Sequence, residues 1–292
     1  MNLAIPPIIL ALALALLLAA PFSFLVGRRG GRHRSLPGWV GFWVFLAGLL
    51  VVLSRADRRL SFPLLGILMF MGLKQYFFVT PLRPQDRWAI LVAYLSIPLT
   101  LWPAFRGNPD AFFVAVMPLL LLFPFLVAMA TQQEGFLDSA GRVLVGALVF
   151  VVSAAHLGLM AQFPDGLLEL FGVLAFTSDL PQRYAGRLRS TGIPARTIRG
   201  VAAGAATGSI VGALLARFTM LRPVEGAVLG LVVALAVAMG ARIADAVAED
   251  LDMGPTPIVG RRAFLDRTIP ALFAAPFFFF TLFFYQFWRF GF

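Results

Sequence analysis

Residues 240–280 read GARIADAVAEDLDMGPTPIVGRRAFLDRTIPALFAAPFFFF, and their reading decides the fold. The stretch leaves one apolar run, crosses a short polar segment and enters a second apolar run. The polar part carries nine charged residues: Arg242, Asp245, Glu249, Asp250, Asp252, Arg261, Arg262, Asp266 and Arg267. Charges at the mouth of two membrane spans are costly unless they pair or serve a function. Carboxylate oxygens bind hard cations and guanidinium forks bind phosphates, so the cluster suits an anionic, metal-carrying ligand.

The rest of the chain agrees with a membrane setting. Of its 292 residues 60% are hydrophobic, and the mean hydropathy is +0.88. A soluble domain is nearer half apolar. A spanning helix needs about 20 apolar residues. The expectation is an all-α polytopic integral membrane protein of nine to ten transmembrane helices. It forms a single transmembrane domain over 1–292, with N-terminal helices in 1–165 and a C-terminal half, 166–292, that carries the site. The absence of cysteine excludes disulfides, thiolate metal sites and a cysteine nucleophile. The net charge of +10 is almost wholly arginine, with Lys74 the only lysine. Without a soluble basic domain, these arginines are expected to set topology and meet anionic headgroups, not to bind nucleic acid.

Apolar runs place spans at about 3–26, 38–54, 61–80, 89–105, 111–130, 143–162, 166–178, 200–217, 224–241 and 268–288. The first is longer than a signal-peptide core and is followed by GRRGGRHRS, so it reads as a retained helix. Arg28, Arg29, Arg32 and Arg34 assign the loop 27–36 to the cytoplasm, and His33 reads as a solvated residue within it. The loop 179–199, with Arg183, Arg187, Arg189, Arg196 and Arg199, is assigned to the same side, and the C-terminus to the outside. His156, in the sixth span, is expected to hydrogen-bond a neighbouring helix. Gly200, Gly204 and Gly208 recur every fourth residue, a stripe for close helix contact that is compatible with a homodimer. A nucleotide-binding glycine loop is not expected there, because no strand precedes it and no Lys-Ser/Thr follows.

Two stretches resemble the phosphatidate cytidylyltransferases (CDP-diacylglycerol synthases). Leu265, Asp266, Arg267, Leu272, Phe273, Ala274, Ala275 and Pro276 match that family's C-terminal motif. Asp179 is followed seven residues later by Gly186-Arg187, the family's spacing, and PARTIRG at 194–200 stands where Pro-x-Lys-Thr-Trp-Glu-Gly would. There Arg196, Thr197 and Gly200 fit, while Ile198 and Arg199 depart. Arg261, Arg262 and Ala263 replace the family's His-Gly-Gly. Its Gly-Asp pair becomes Gly240-Ala241, with Asp245 one helical turn beyond, and its Lys-Asp element is gone.

The resemblance implies transfer of a cytidylyl group. A phosphatidate oxygen attacks the α-phosphorus of CTP, giving CDP-diacylglycerol or a related CDP-activated lipid and releasing pyrophosphate. Such chemistry needs two polyanions held together and their charge neutralised. The resemblance implies Mg²⁺, alone or with a second cation, on Asp179, Asp245 and Asp266 as catalytic and metal-binding groups. Arg187, Arg196, Thr197, Arg261, Arg262 and Arg267 are the implied phosphate-binding groups, on loops facing the cytoplasm. One metal cluster using Asp179 and Asp266 requires their carboxyl oxygens within about 10 Å, given Mg–oxygen distances of about 2.1 Å. The structural alternative for the three carboxylates is pairing with nearby arginines such as Arg183 or Arg242. The functional alternative is a catalytically lapsed relative that binds a lipid or nucleotide, or regulates a partner. A transporter is disfavoured, because polar groups gather at one surface and not at mid-membrane.

Overall fold

The computed structural model describes residues 8–10, 13–14, 16–17, 36–129, 135–163, 166–187, 197–253 and 261–290. For 36–37, 184–187, 261 and 286–290 it describes the helical backbone alone. Most of the expected first span lies outside the described residues. So do the basic loop with Arg28, Arg29, Arg32, His33 and Arg34, the segment with Arg189 and Arg196, and residues 254–260.

Among the described residues nine long helices follow residue 35, and no strand occurs. They are α1 (Leu36–Arg55), α2 (Arg58–Val79), α3 (Arg87–Arg106), α4 (Pro109–Ala128), α5 (Phe136–Met160), α6 (Leu167–Arg187), α7 (Ile198–Ala216), α8 (Pro223–Asp250) and α9 (Arg261–Phe290). All except α6 are long and apolar enough to cross a membrane. Helix boundaries follow local signals. Asp57 caps α2 by accepting the Arg59 N–H at 2.8 Å, and Asn108 caps α4 by accepting the Ala111 N–H at 2.9 Å. Gly107, at φ 65°, closes α3 in the left-handed conformation that glycine adopts without strain.

The chain divides into two compact units, residues 55–162 and residues 1–54 with 163–292. The first unit holds α2–α5. Its α5 contains a wide π turn over Leu148–Ser153. The buried His156 follows that turn, and its Nδ1–H donates to the Val152 carbonyl at 2.7 Å. The hydrogen bond expected to run to a neighbouring helix thus goes one turn back along its own. The ring also meets Phe112 of α4 edge-on, centroids 5.0 Å apart.

The second unit holds α1 and α6–α9. Helix α6 carries Glu169, Asp179, Arg183 and Arg187, yet Leu167–Phe176 is buried throughout. Its neighbours make this possible by lying very close. A Cβ added at Gly200 would sit 2.7 Å from the Gln182 carbonyl, and one at Gly204 2.6 Å from the Ser178 carbonyl. A Cβ at Gly208 would sit 2.7 Å from the Gly230 carbonyl, and Gly212 meets Gly226 backbone to backbone. The expected glycine stripe is therefore a packing device, joining α7 to α6 along part of its length and to α8 along the rest.

The supposed loops are shorter than expected. Helix α6 runs on through Asp179 and Arg183 to Arg187, α8 runs to Asp250, and α9 already begins at Arg261. The charges at 179–187, 242–250 and 261–267 thus lie on helical turns, where i, i+4 pairs between opposite charges support the helix.

Candidate functional site

The polar centre of the second unit is built on α6. Asp179 and Arg183 are one turn apart on it, and the Arg183 Nε–H donates to Asp179 Oδ2 at 2.9 Å. Helix α9 supplies Asp266. The Arg183 Nη1–H donates to Asp266 Oδ2 at 2.6 Å, and Nη2–H to the Asp266 backbone oxygen at 2.8 Å. Helix α1 supplies two tryptophans, again one turn apart. The indole N–H of Trp39 donates to Asp179 Oδ2 at 2.6 Å, and that of Trp43 reaches the same oxygen at 3.4 Å.

Aromatic packing fixes these donors. Trp39 stacks on Phe176 with centroids 5.5 Å apart, and Trp43 meets the same ring edge-on at 5.7 Å. The Arg183 guanidinium lies 5.6 Å from the Trp39 ring centroid, within cation–π range. Asp179 is only 2% exposed and Arg183 8%, whereas the Asp266 side chain is 22% exposed. A buried charge is tolerated when it is paired and its remaining hydrogen-bonding capacity is filled. Here one carboxylate takes two indoles and a guanidinium, and the guanidinium takes two carboxylates. Gln182 adds a neutral tie, its amide N–H donating to the Ala234 carbonyl of α8 at 2.8 Å.

The two stretches singled out in the sequence do meet. Because a guanidinium is a small rigid fork, the Asp179 and Asp266 oxygens that it contacts lie within about 8 Å of each other. Asp245 pairs instead with Arg262 at 3.6 Å. Arg262 also donates to the Met253 carbonyl at 2.8 Å, which ties the end of α8 to the start of α9. Thr197 is the N-cap of α7, its hydroxyl accepting the Gly200 N–H at 3.2 Å. Its oxygen completes the first turn of that helix. Arg267 is half-buried with its guanidinium over Gly38 of α1; a Cβ there would sit 2.6 Å from Nη2. Arg196 and the side chains of Arg187 and Arg261 lie outside the described residues.

The carboxylates implied for Mg²⁺ are engaged by arginines and indoles. Among the described residues no three His, Cys, Asp or Glu side chains are grouped to hold a metal. Of the three carboxylates expected to hold it, Asp179 and Asp266 both pair with Arg183 and Asp245 pairs with Arg262. Asp179 Oδ2 already receives three N–H groups and Asp266 Oδ2 receives one, and each acceptor position so filled is lost to a cation.

Sequence reasoning passed over Trp39 and Trp43. The available signal was their i, i+4 spacing in an apolar span, since a buried indole N–H needs an acceptor. Arg183 was recognised as a partner for Asp179, but its reach to Asp266 was not foreseen. No family model, curated protein or solved structure matches the chain.

Proposed function

We propose that this chain is a diverged relative of the phosphatidate cytidylyltransferases that holds the phosphates of an anionic lipid such as phosphatidate, or of CTP, at the membrane surface. The observation that carries this reading is the meeting of Asp179 and Asp266 at one guanidinium. They come from two separate stretches, each of which resembles that family on its own.

Binding is favoured over catalysis by the ion pairs themselves. Arg183 pairs with both carboxylates that a metal would need, and Asp245 is engaged with Arg262. Arg267, next in the chain to the partly exposed Asp266, offers a fork for charge-assisted, bidentate bonds to a phosphate. Arg187 and Arg196 belong to the same proposed phosphate-binding set. Ten spans, with this site on the cytoplasmic face and the C-terminus outside, complete the proposal; the arginine distribution supports that orientation.

Cytidylyl transfer is the second reading, favoured by the exposure of Asp266 beside Arg267. One experiment separates the readings: purified protein in nanodiscs, given labelled CTP, phosphatidate and Mg²⁺. Retained CTP or phosphatidate without pyrophosphate release supports binding. Stoichiometric CDP-lipid and pyrophosphate establish the transferase. Neither retention nor turnover removes the proposal.

A further inference from the structure

We propose that Arg183 is the resident cation of this site, so that it binds its phosphate ligand without a divalent metal. The inference deepens the phosphate-binding reading and rests on it for the ligand, but its claim about metal stands on the geometry alone.

A divalent ion holds two acidic groups together by lying between them and drawing on oxygens of both. Arg183 does this with hydrogen bonds. Its Nε–H goes to Asp179, its Nη1–H to the Asp266 carboxylate and its Nη2–H to the Asp266 backbone oxygen. Helices α6 and α9 are thereby joined by a covalently tethered cation that cannot dissociate. Two of the five guanidinium N–H groups are not used by these acceptors.

Charge balance points the same way. Asp179 and Asp266 are answered by Arg183 and Arg267, and Asp245 by Arg262. A divalent ion entering between the first two carboxylates would lie a few ångströms from a buried guanidinium and be repelled by it. Expelling Arg183 would require moving a charge whose stem and head are held by α6, by the Trp39 face and by α9. A phosphate is drawn by Arg267 and Arg183 and repelled by the Asp266 carboxylate, so its place is on the Arg267 side of the pair, where a guanidinium holds it with no intervening metal.

The test is a metal titration with a ligand arm, on the full chain in nanodiscs of phosphatidylcholine doped with phosphatidate. Mn²⁺ serves as the spectroscopic probe for Mg²⁺, read by electron paramagnetic resonance against empty nanodiscs of the same lipid. CTP retention is measured in EDTA and in Mg²⁺. The wild type is expected to bind no Mn²⁺ beyond the lipid background, and its CTP retention to be the same in EDTA and Mg²⁺. Arg183→Ala should gain Mn²⁺ affinity by about tenfold or more, because it unmasks two carboxylates and removes the repelling charge. If that variant does not fold, Arg183→Gln, whose amide nitrogen stands near the place of the arginine Nε and keeps a donor for Asp179 alone, is read in the same way, because it removes the charge and releases Asp266. One saturable Mn²⁺ site on the wild type, lost in Asp266→Asn, would overturn the proposal. So would CTP retention abolished by EDTA and restored by Mg²⁺. Absence of CTP retention in both conditions, together with no preference for phosphatidate over phosphatidylcholine, ends the phosphate-binding reading, while the Mn²⁺ titration still decides the metal.

Discussion

Arg183 and Asp266 are 83 residues apart in the chain, yet the Arg183 Nη1–H meets the Asp266 carboxylate at 2.6 Å. The Nη2–H of the same guanidinium meets the Asp266 backbone oxygen at 2.8 Å. These two hydrogen bonds from one side chain fasten α9 to α6, one turn from Asp179. The polar centre of a very apolar protein is therefore a stability element as well as a candidate site, and its parts can be tested by stability before any ligand is known.

Asp179→Ala removes the acceptor shared by two indoles and Arg183. Removing one partner of a buried ion pair costs about 3–5 kcal/mol, because the other charge is left uncompensated. Here Asp266 still answers Arg183, so the expected loss is near the lower end, about 3 kcal/mol. Chemical denaturation in detergent, compared with wild type, measures it. A loss under about 1 kcal/mol would mean that Asp179 is hydrated or neutral in the folded protein.

Trp39→Phe keeps an aromatic ring against Phe176 but deletes the 2.6 Å donor to Asp179. Hydrogen bonds to charged groups contribute about 1.5–3 kcal/mol, and that is the expected cost. Trp43→Phe removes a 3.4 Å contact, at the outer edge of hydrogen-bond geometry, and should cost less than about 1 kcal/mol. Equal losses in the two variants would show that ring size, not the indole donor, carries the effect.

These tryptophans mark where sequence reading stopped. The helices were legible because spans of about 20 apolar residues leave little room for another reading. The stripe of Gly200, Gly204 and Gly208 was legible as packing because small residues at that spacing flatten one helix face. Asp179 and Asp266 stood out because the spacing around each resembles a cytidylyltransferase motif. Partner choice was not legible. Whether a carboxylate takes a metal, an arginine or an indole depends on which helices lie side by side, and Trp39 is 140 residues from Asp179. The helix ends were also hidden. Charged residues normally mark loops, but here α6 and α8 carry them on helical turns, where Arg183 pairs with Asp179 and Asp266, and Asp245 with Arg262.

Gly208→Ala should destabilise by about 1–3 kcal/mol, the range for overpacking a close-packed interface. Its new methyl would press on the Gly230 carbonyl, which is backbone and cannot swing aside. Gly48→Ala is the control. It is a helical glycine on α1 with nothing within 4 Å of an added Cβ, so it should be neutral or gain up to about 1 kcal/mol from helix propensity. Thermal unfolding of both in one detergent checks the contrast, and a Gly208→Ala as stable as wild type would contradict the backbone-contact packing of α7 on α8.

Asp245 and Arg262 should couple weakly. They are 3.6 Å apart and partly exposed, which places the pair with surface salt bridges worth about 0.2–1 kcal/mol. A double-mutant cycle with Asp245→Ala and Arg262→Ala isolates that term. The Arg262 single variant should lose more than the coupling, since it also forfeits the bond to the Met253 carbonyl. A coupling of 3 kcal/mol or more would return Asp245 to the centre of the site.

The central claim is that the Arg183–Asp266 junction lies at a phosphate-binding site, and the most direct measurement is lipid and nucleotide retention by an Arg267 variant. Wild type and Arg267→Gln are purified in parallel, matched for thermal stability, and titrated with CTP and with phosphatidate against phosphatidylcholine. The account predicts that the wild type retains a phosphate ligand in preference to phosphatidylcholine. It also predicts that Arg267→Gln weakens retention by about 1.5–3 kcal/mol, as expected for loss of hydrogen bonds to a charged group. Equal retention by the two proteins, or no preference for phosphatidate or CTP in the wild type, would contradict it.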